Sequence, residues 1–162
     1  MTERNTESVV SSTKAYYDGP ADQIYRTIWG DNIHLGVPCS VECSHLEAME
    51  HTNQIMAEAV DLTAQTKVLD LGCGYGSTAR YLASEYGCHV TATNISEKEL
   101  RLASDRGKEA GLESLLTFEY GDFHDLKYSD ESFDIVWSQE AFLHGVDKVK
   151  ILSECKRVLT LG

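Results

Sequence analysis

The run from Lys67 to Ser77, KVLDLGCGYGS, constrains the fold more than any other stretch, because an apolar segment carrying a carboxylate breaks there into glycines at alternate positions. Val68, Leu69 and Leu71 suit a strand covered on both faces. Gly72, Gly74 and Gly76 permit backbone angles and a close ligand approach that a side chain would forbid. Ala79, Leu82, Ala83 and Tyr86 then recur at helical spacing, and Gly87 closes the segment. A strand, a glycine turn and a helix in that order set backbone N–H groups at the helix start against whatever the turn holds.

Two nucleotide classes compete for that turn. The dinucleotide fingerprint G-x-G-x-x-G needs a third glycine where Ser77 stands, with Gly76 one place early, so NAD is disfavoured. Asp70 at the strand end completes D-x-G-x-G-x-G, which resembles the signature of class I methyltransferases that use S-adenosylmethionine. A carboxylate there suits a ligand bearing an ammonium and a sulfonium. The bland reading is a solvated acid before a tight turn.

At 162 residues the chain is one domain's worth, and its 26 acids against 14 Lys and Arg leave a net charge of −12. Little basic surface remains for nucleic acid or an anionic membrane, and a small substrate, for example one with a cationic amine, fits better. No apolar run approaches membrane-spanning length, and the first residues lack a signal-peptide core, so the expected location is cytoplasmic. Five cysteines, Cys39, Cys43, Cys73, Cys88 and Cys155, are read as reduced thiols. Cys39, Cys43 and His45 lie close together, but no matching second pair follows and no metal is expected.

Along the chain, residues 1–11 read as a polar, mobile tail and 12–162 as a single domain. Residues 12–66 form a helical lid, with Tyr17, Ala21, Ile24, Tyr25 and Ile28 in helical register about a break at Asp18-Gly19-Pro20. Tyr16, Tyr17, Tyr25 and Trp29 offer aromatic faces that a methylated ammonium prefers. A second lid helix spans about Ser44 to Val60, with a capping box at Ser44 and Glu47 and a stripe of Leu46, Met49, Met56 and Val60. In the core, residues 67–162, strands are expected at Lys67–Leu71, Cys88–Thr93, Ser114–Tyr120 and Phe133–Ser138. Helices alternate with them, one starting at a second capping box, Ser96 with Glu99, and the last running from Asp147 to Leu159 with Val149, Leu152, Cys155 and Leu159 on one face. This is an α/β, Rossmann-like pattern with a parallel sheet, whose ligands sit at the carboxyl ends of the strands. Asp70, Asn94, Asp122 and Ser138-Gln139-Glu140 all fall there. A nucleoside site usually places an acid where Asn94 stands, because both ribose hydroxyls donate to it. Asp122 suits an adenine amino group, with Phe123 covering the ring. A sheet of order 3-2-1-4 would leave strand 4 as an open edge, so the fold reads as truncated after strand 4 and its helix. The missing layer then comes from further sequence or from another chain, as in a homo-oligomer.

Tyr25 to Gly36 (YRTIWGDNIHLG), Val68 to Gly76, Gly121-Asp122-Phe123 and Trp137 to His144 together resemble the sarcosine/dimethylglycine N-methyltransferases, with the phosphoethanolamine N-methyltransferases as more distant kin. That resemblance implies a class I methyltransferase fold, S-adenosylmethionine as cofactor, and methylation of a small amine, sarcosine or dimethylglycine in glycine betaine synthesis. It implies catalytic roles for Tyr17 and His144. It also implies cofactor contacts from Tyr17, Leu35, Asp70, Gly72, Cys73, Gly74, Asn94, Ile95, Asp122, Phe123 and Gln139. Two alternatives stay open, a methyltransferase for another small molecule and a non-catalytic nucleoside-binding domain in which His144 merely packs.

Overall fold

A computed structural model describes residues 6–20, 27, 30 and 34–161. Ala21, Ile24, Tyr25, Ile28 and Trp29 of the expected aromatic lid lie outside the described residues. The elements are α1 (Thr6–Asp18), α2 (His45–Glu58), β1 (Lys67–Leu71), α3 (Ser77–Tyr86), β2 (His89–Asn94), α4 (Glu97–Glu109), β3 (Leu116–Tyr120), β4 (Ile135–Trp137), a 3-10 turn (Phe142–His144) and α5 (Lys148–Val158).

The strands form one parallel sheet in the order β3-β2-β1-β4. Alternation along β1 divides the core. Val68 packs with Ala57 of α2, Ala79 and Leu82 of α3, and Val90 and Ala92 of β2. Leu69 and Leu71 pack on the opposite face with Leu126, Phe133 and the Ile151, Cys155 and Val158 stripe of α5. Both faces are thus covered, as the near-continuous apolar run predicts. With β1 interior, its carboxyl end lies between those of β2 and β4, and the glycine turn opens there.

Several local expectations are corrected. The first helix begins at Thr6, so Thr6–Ser11 are helical and not part of a tail. None of its residues is buried, which is why no apolar period marks it. Cys39 and Cys43 form a disulfide, with Cα atoms 5.6 Å apart, while Cys73, Cys88 and Cys155 are free thiols. A turn closed by Cys43 N–H on Ser40 O brings the pair within bonding geometry. The inward face of α2 is Ala48, Met49, Asn53 and Ala57, leaving Leu46 and Val60 exposed. On α5, Val149 and Leu152 also face solvent. The strand β4 is shorter than expected, and Phe133 bridges in parallel to Leu159, covering the start of that edge. The Ser44–Glu47 capping box is present as read, with both hydrogen bonds made.

Candidate active site

The glycine turn is built by its backbone. The N–H groups of Gly72 and Cys73 both donate to Thr93 O, at 2.9 and 3.0 Å, tying the turn to β2. At Gly72 (φ 79°) a Cβ would sit 2.3 Å from the Cβ of Ala141, and at Gly76 (φ 71°) 2.6 Å from the Phe118 ring. No side chain fits either position, and the backbone is left bare where β1 meets α3. Asp70, only 3% exposed, is the last residue but one of β1, beneath this turn. Its Oδ2 is buried and has no hydrogen-bond partner among the described residues. Burial pushes its carboxyl up to about 7. An unpaired buried carboxylate oxygen is costly unless a cation meets it.

At the end of β2 the side chain of Asn94 is already spent. Its Oδ1 accepts from the N–H groups of Ile95 (2.7 Å) and Ser96 (3.3 Å), closing a turn into α4, and its Nδ2 donates to Glu99 Oε2 at 2.6 Å. Ser96 caps α4 by accepting from Glu99 N–H, but the Glu99 carboxylate does not return to the cap as the second capping box predicts. It turns inward, 2% exposed, and lines the same cavity as Asp70. Asn94 is not an acid, but it holds one, Glu99, five residues further on, at the cavity wall. The Ser-x-x-Glu spacing was visible in the sequence, but it signals a cap and an inward carboxylate equally well.

From the β4 end come Gln139, Glu140 and Ala141. Gln139 Oε1 accepts from Thr78 Oγ1 (2.7 Å) and Trp137 Nε1 (3.1 Å), and its Nε2 donates to Asn53 (2.9 Å), so this amide chiefly braces the wall. Glu140 adopts φ 53° and accepts from Leu35 N–H at 2.8 Å. Helix α1 lies over this end through polar contacts. Lys14 Nζ donates to Ile95 O (3.2 Å), Ser96 Oγ donates to Asp18 (2.6 Å), and Tyr17 Oη shares a hydrogen bond with His144 Nε2 at 2.9 Å. Burial, then the nearby Lys148, holds the His144 imidazole below its usual pKa, which favours a neutral ring.

One cavity thus gathers Tyr17, Asp70, Gly72, Cys73, Gly74, Asn94, Ile95, Phe123, Gln139 and His144 of the sequence-predicted set. Leu35 and Asp122 do not line it. The Leu35 side chain is 63% exposed, and only its backbone reaches Glu140. Asp122 Oδ1 accepts from both the N–H and the Nδ1 of His124, at 2.9 and 2.7 Å, which turns it into the β3 turn. Residues that line the cavity but were not assigned a cofactor contact from sequence include Glu99, Thr78 and His34. Among the described lining residues there is no Lys or Arg, against three acids, Asp70, Glu99 and Glu140. The orphaned Asp70 oxygen, the side-chain-free glycine turn and this acid excess fit a cationic nucleoside such as S-adenosylmethionine, and fit a dinucleotide pyrophosphate poorly.

A parallel sheet with a glycine turn and a strand-end acid cavity defines a nucleoside-cofactor-binding α/β domain. A family model described as a methyltransferase domain matches residues 69–162, and the chain belongs to that family. It is 44% identical over 154 residues to a glycine/sarcosine/dimethylglycine N-methyltransferase of Actinopolyspora halophila, covering 94% of this chain and 27% of that protein. To a sarcosine/dimethylglycine N-methyltransferase of Halorhodospira halochloris it is 38% identical over 165 residues, covering 100% of this chain and 59% of that protein. The crystal structure of a candidate sarcosine dimethylglycine methyltransferase from Galdieria sulphuraria superposes with a TM-score of 0.83 at 35% identity, over 88% of this chain and 56% of that one. The chain therefore spans little more than half the length of such relatives, or less.

Proposed function

We propose that the protein is an S-adenosylmethionine-dependent N-methyltransferase acting on a small amine of the sarcosine or dimethylglycine kind. The observation that carries this reading is the Tyr17–His144 hydrogen bond closing over a cavity whose charged side chains are acids. The similarity to sarcosine/dimethylglycine N-methyltransferases supports the choice of amine.

Bound in the cavity, the cofactor supplies an electrophilic methyl on a sulfonium. Asp70 receives its cationic amino-acid end, and Glu99, held by Asn94, accepts from the ribose hydroxyls. Ile95 and Phe123 flank the base. At neutral pH a free amine is largely protonated and has no lone pair to attack with. With Tyr17 Oη donating to His144 Nε2, that nitrogen is the proton acceptor of the pair. A proton leaving the amine passes to Tyr17 Oη as the phenol proton passes to His144 Nε2. The lone pair so released would be free to take the methyl that the cofactor supplies, and Glu140 would face the cationic product. The lid excludes water and orients the amine, which is the protein's main contribution to such a displacement.

The test is methyl transfer by the full-length protein from methyl-labelled cofactor to sarcosine, dimethylglycine and phosphoethanolamine in parallel. Label should appear on sarcosine or dimethylglycine. His144→Ala and Tyr17→Phe should each lower turnover by about 10²-fold, within the usual range for general-base loss, with little change in cofactor affinity. Full turnover in both variants would leave the pair a packing contact, and label on phosphoethanolamine alone would change the acceptor.

A further inference from the structure

His34 is a buried imidazole, 7% exposed, on the loop between the lid helices, and it lines the cavity. Its Nδ1 lies 3.1 Å from Leu35 O. A carbonyl only accepts, so Nδ1 carries the hydrogen, and in the neutral ring Nε2 presents a bare lone pair. That Nε2 is buried with no hydrogen-bond partner among the described residues. Asp70 Oδ2, in the same cavity, shares that condition. The two belong to one contiguous patch. Asp70 stands two residues before Gly72, Gly72 packs against Ala141, and Ala141 follows Glu140, which holds the N–H of Leu35, the neighbour of His34. The Asn94–Glu99 pair lies on the opposite side of β1, because β2 and β4 flank it.

Resting on the cofactor reading above, we infer that His34 Nε2 and Asp70 Oδ2 together bind the α-ammonium of S-adenosylmethionine, His34 being a ligand-recognition residue of the lid. An ammonium brings three N–H donors to a site with two buried acceptors lacking donors. One desolvated carboxylate takes the charge, and the imidazole fixes direction. Burying both acceptors without a ligand costs free energy that the ammonium recovers, so this corner couples lid closure to cofactor occupancy. The carboxylate of the cofactor has no Lys or Arg among the described lining residues and is not assigned to His34.

The test is calorimetry of the full-length protein with S-adenosylhomocysteine, its analogue lacking the α-amine, and its analogue lacking the carboxylate. The unmutated protein should prefer the amine-bearing ligand over the deaminated one. His34→Phe, which removes the acceptor and keeps a ring, should shrink that preference about tenfold, the scale of one hydrogen bond to a charged group. His34→Gln, which offers an oxygen near the Nε2 position, should restore part of it. Thermal unfolding checks each variant, and His34→Met serves if the Phe variant does not fold. If both ligands weaken equally with the preference intact, His34 only packs and the inference is overturned. A change confined to the comparison with the decarboxylated analogue overturns it too, by moving His34 to the carboxylate. If the unmutated protein binds none of the three ligands, the cofactor reading itself fails and takes this assignment with it.

Discussion

A single position, Asn94, shows how a site can depart from its expected pattern and keep its chemistry. Its amide oxygen is consumed by two backbone N–H groups and its nitrogen orients Glu99, so in the proposed reading the ribose acceptor is Glu99 on the neighbouring helix. Glu99→Ala should therefore weaken S-adenosylhomocysteine binding by about 1–3 kcal/mol, whereas Asn94→Asp should raise like-charge repulsion with Glu99 and weaken binding as well. Calorimetry decides it, and unchanged affinity for folded Glu99→Ala would remove that residue from the site. Asp70 makes a second prediction. Burial pushes its carboxyl from the ordinary 3.8 up to about 7, so the neutral form is favoured by folding. The sign follows. The ligand-free protein keeps the full contribution of this group below about pH 4 and loses it progressively as pH rises to about 7. Asp70→Asn should thus be more stable than the unmutated protein by a margin that grows by about 2–3 kcal/mol between pH 5 and pH 8. Urea unfolding of both proteins measures it, and a margin independent of pH would show that Asp70 is not held in a dry site. Asp70 and the glycines were legible in the sequence because a strand, a carboxylate and alternate glycines leave few other structures. His34 was not, since a lone histidine in a loop has no period, and its significance comes from burial and one unmade hydrogen bond.

Among the elements, the strands and the helices of the core were readable because each buries a face and burial imposes a period. Helix α1 was not fully readable for the converse reason. It docks through Lys14, Asp18 and Tyr17, with no buried residue, so nothing apolar marks its first turns. The same polar attachment predicts its dynamics. Few apolar contacts oppose its opening, and its amides should exchange with deuterium far faster than those of α3, which buries Thr78, Ala79, Leu82 and Ala83. Adding S-adenosylhomocysteine should slow exchange in α1 selectively. Protection in α1 equal to that of α3 without ligand would contradict the account of α1 as a lid. Helices α2 and α5 add a smaller lesson. Their apolar residues outnumber the positions the sheet can cover, so Leu46 and Leu152 fit a plausible stripe yet face solvent.

For the whole molecule, the sheet order β3-β2-β1-β4 follows from strands and helices alternating along the chain, and it fixes the site at the carboxyl ends around β1. No helix among the described residues is long and apolar enough to cross a membrane. What the fold does not dictate is the ligand, because parallel sheets with glycine turns serve many cofactors. The discrimination rests on local features: Ser77 in place of a third dinucleotide glycine, Asp70 with an unpaired oxygen, and Glu99 in the cavity. The most direct measurement is calorimetry of the full-length protein with S-adenosylmethionine, S-adenosylhomocysteine and NAD in separate titrations. Binding of the first two with none of NAD is the predicted result. Tight binding of NAD with no heat from either adenosyl sulfur compound would contradict the central claim.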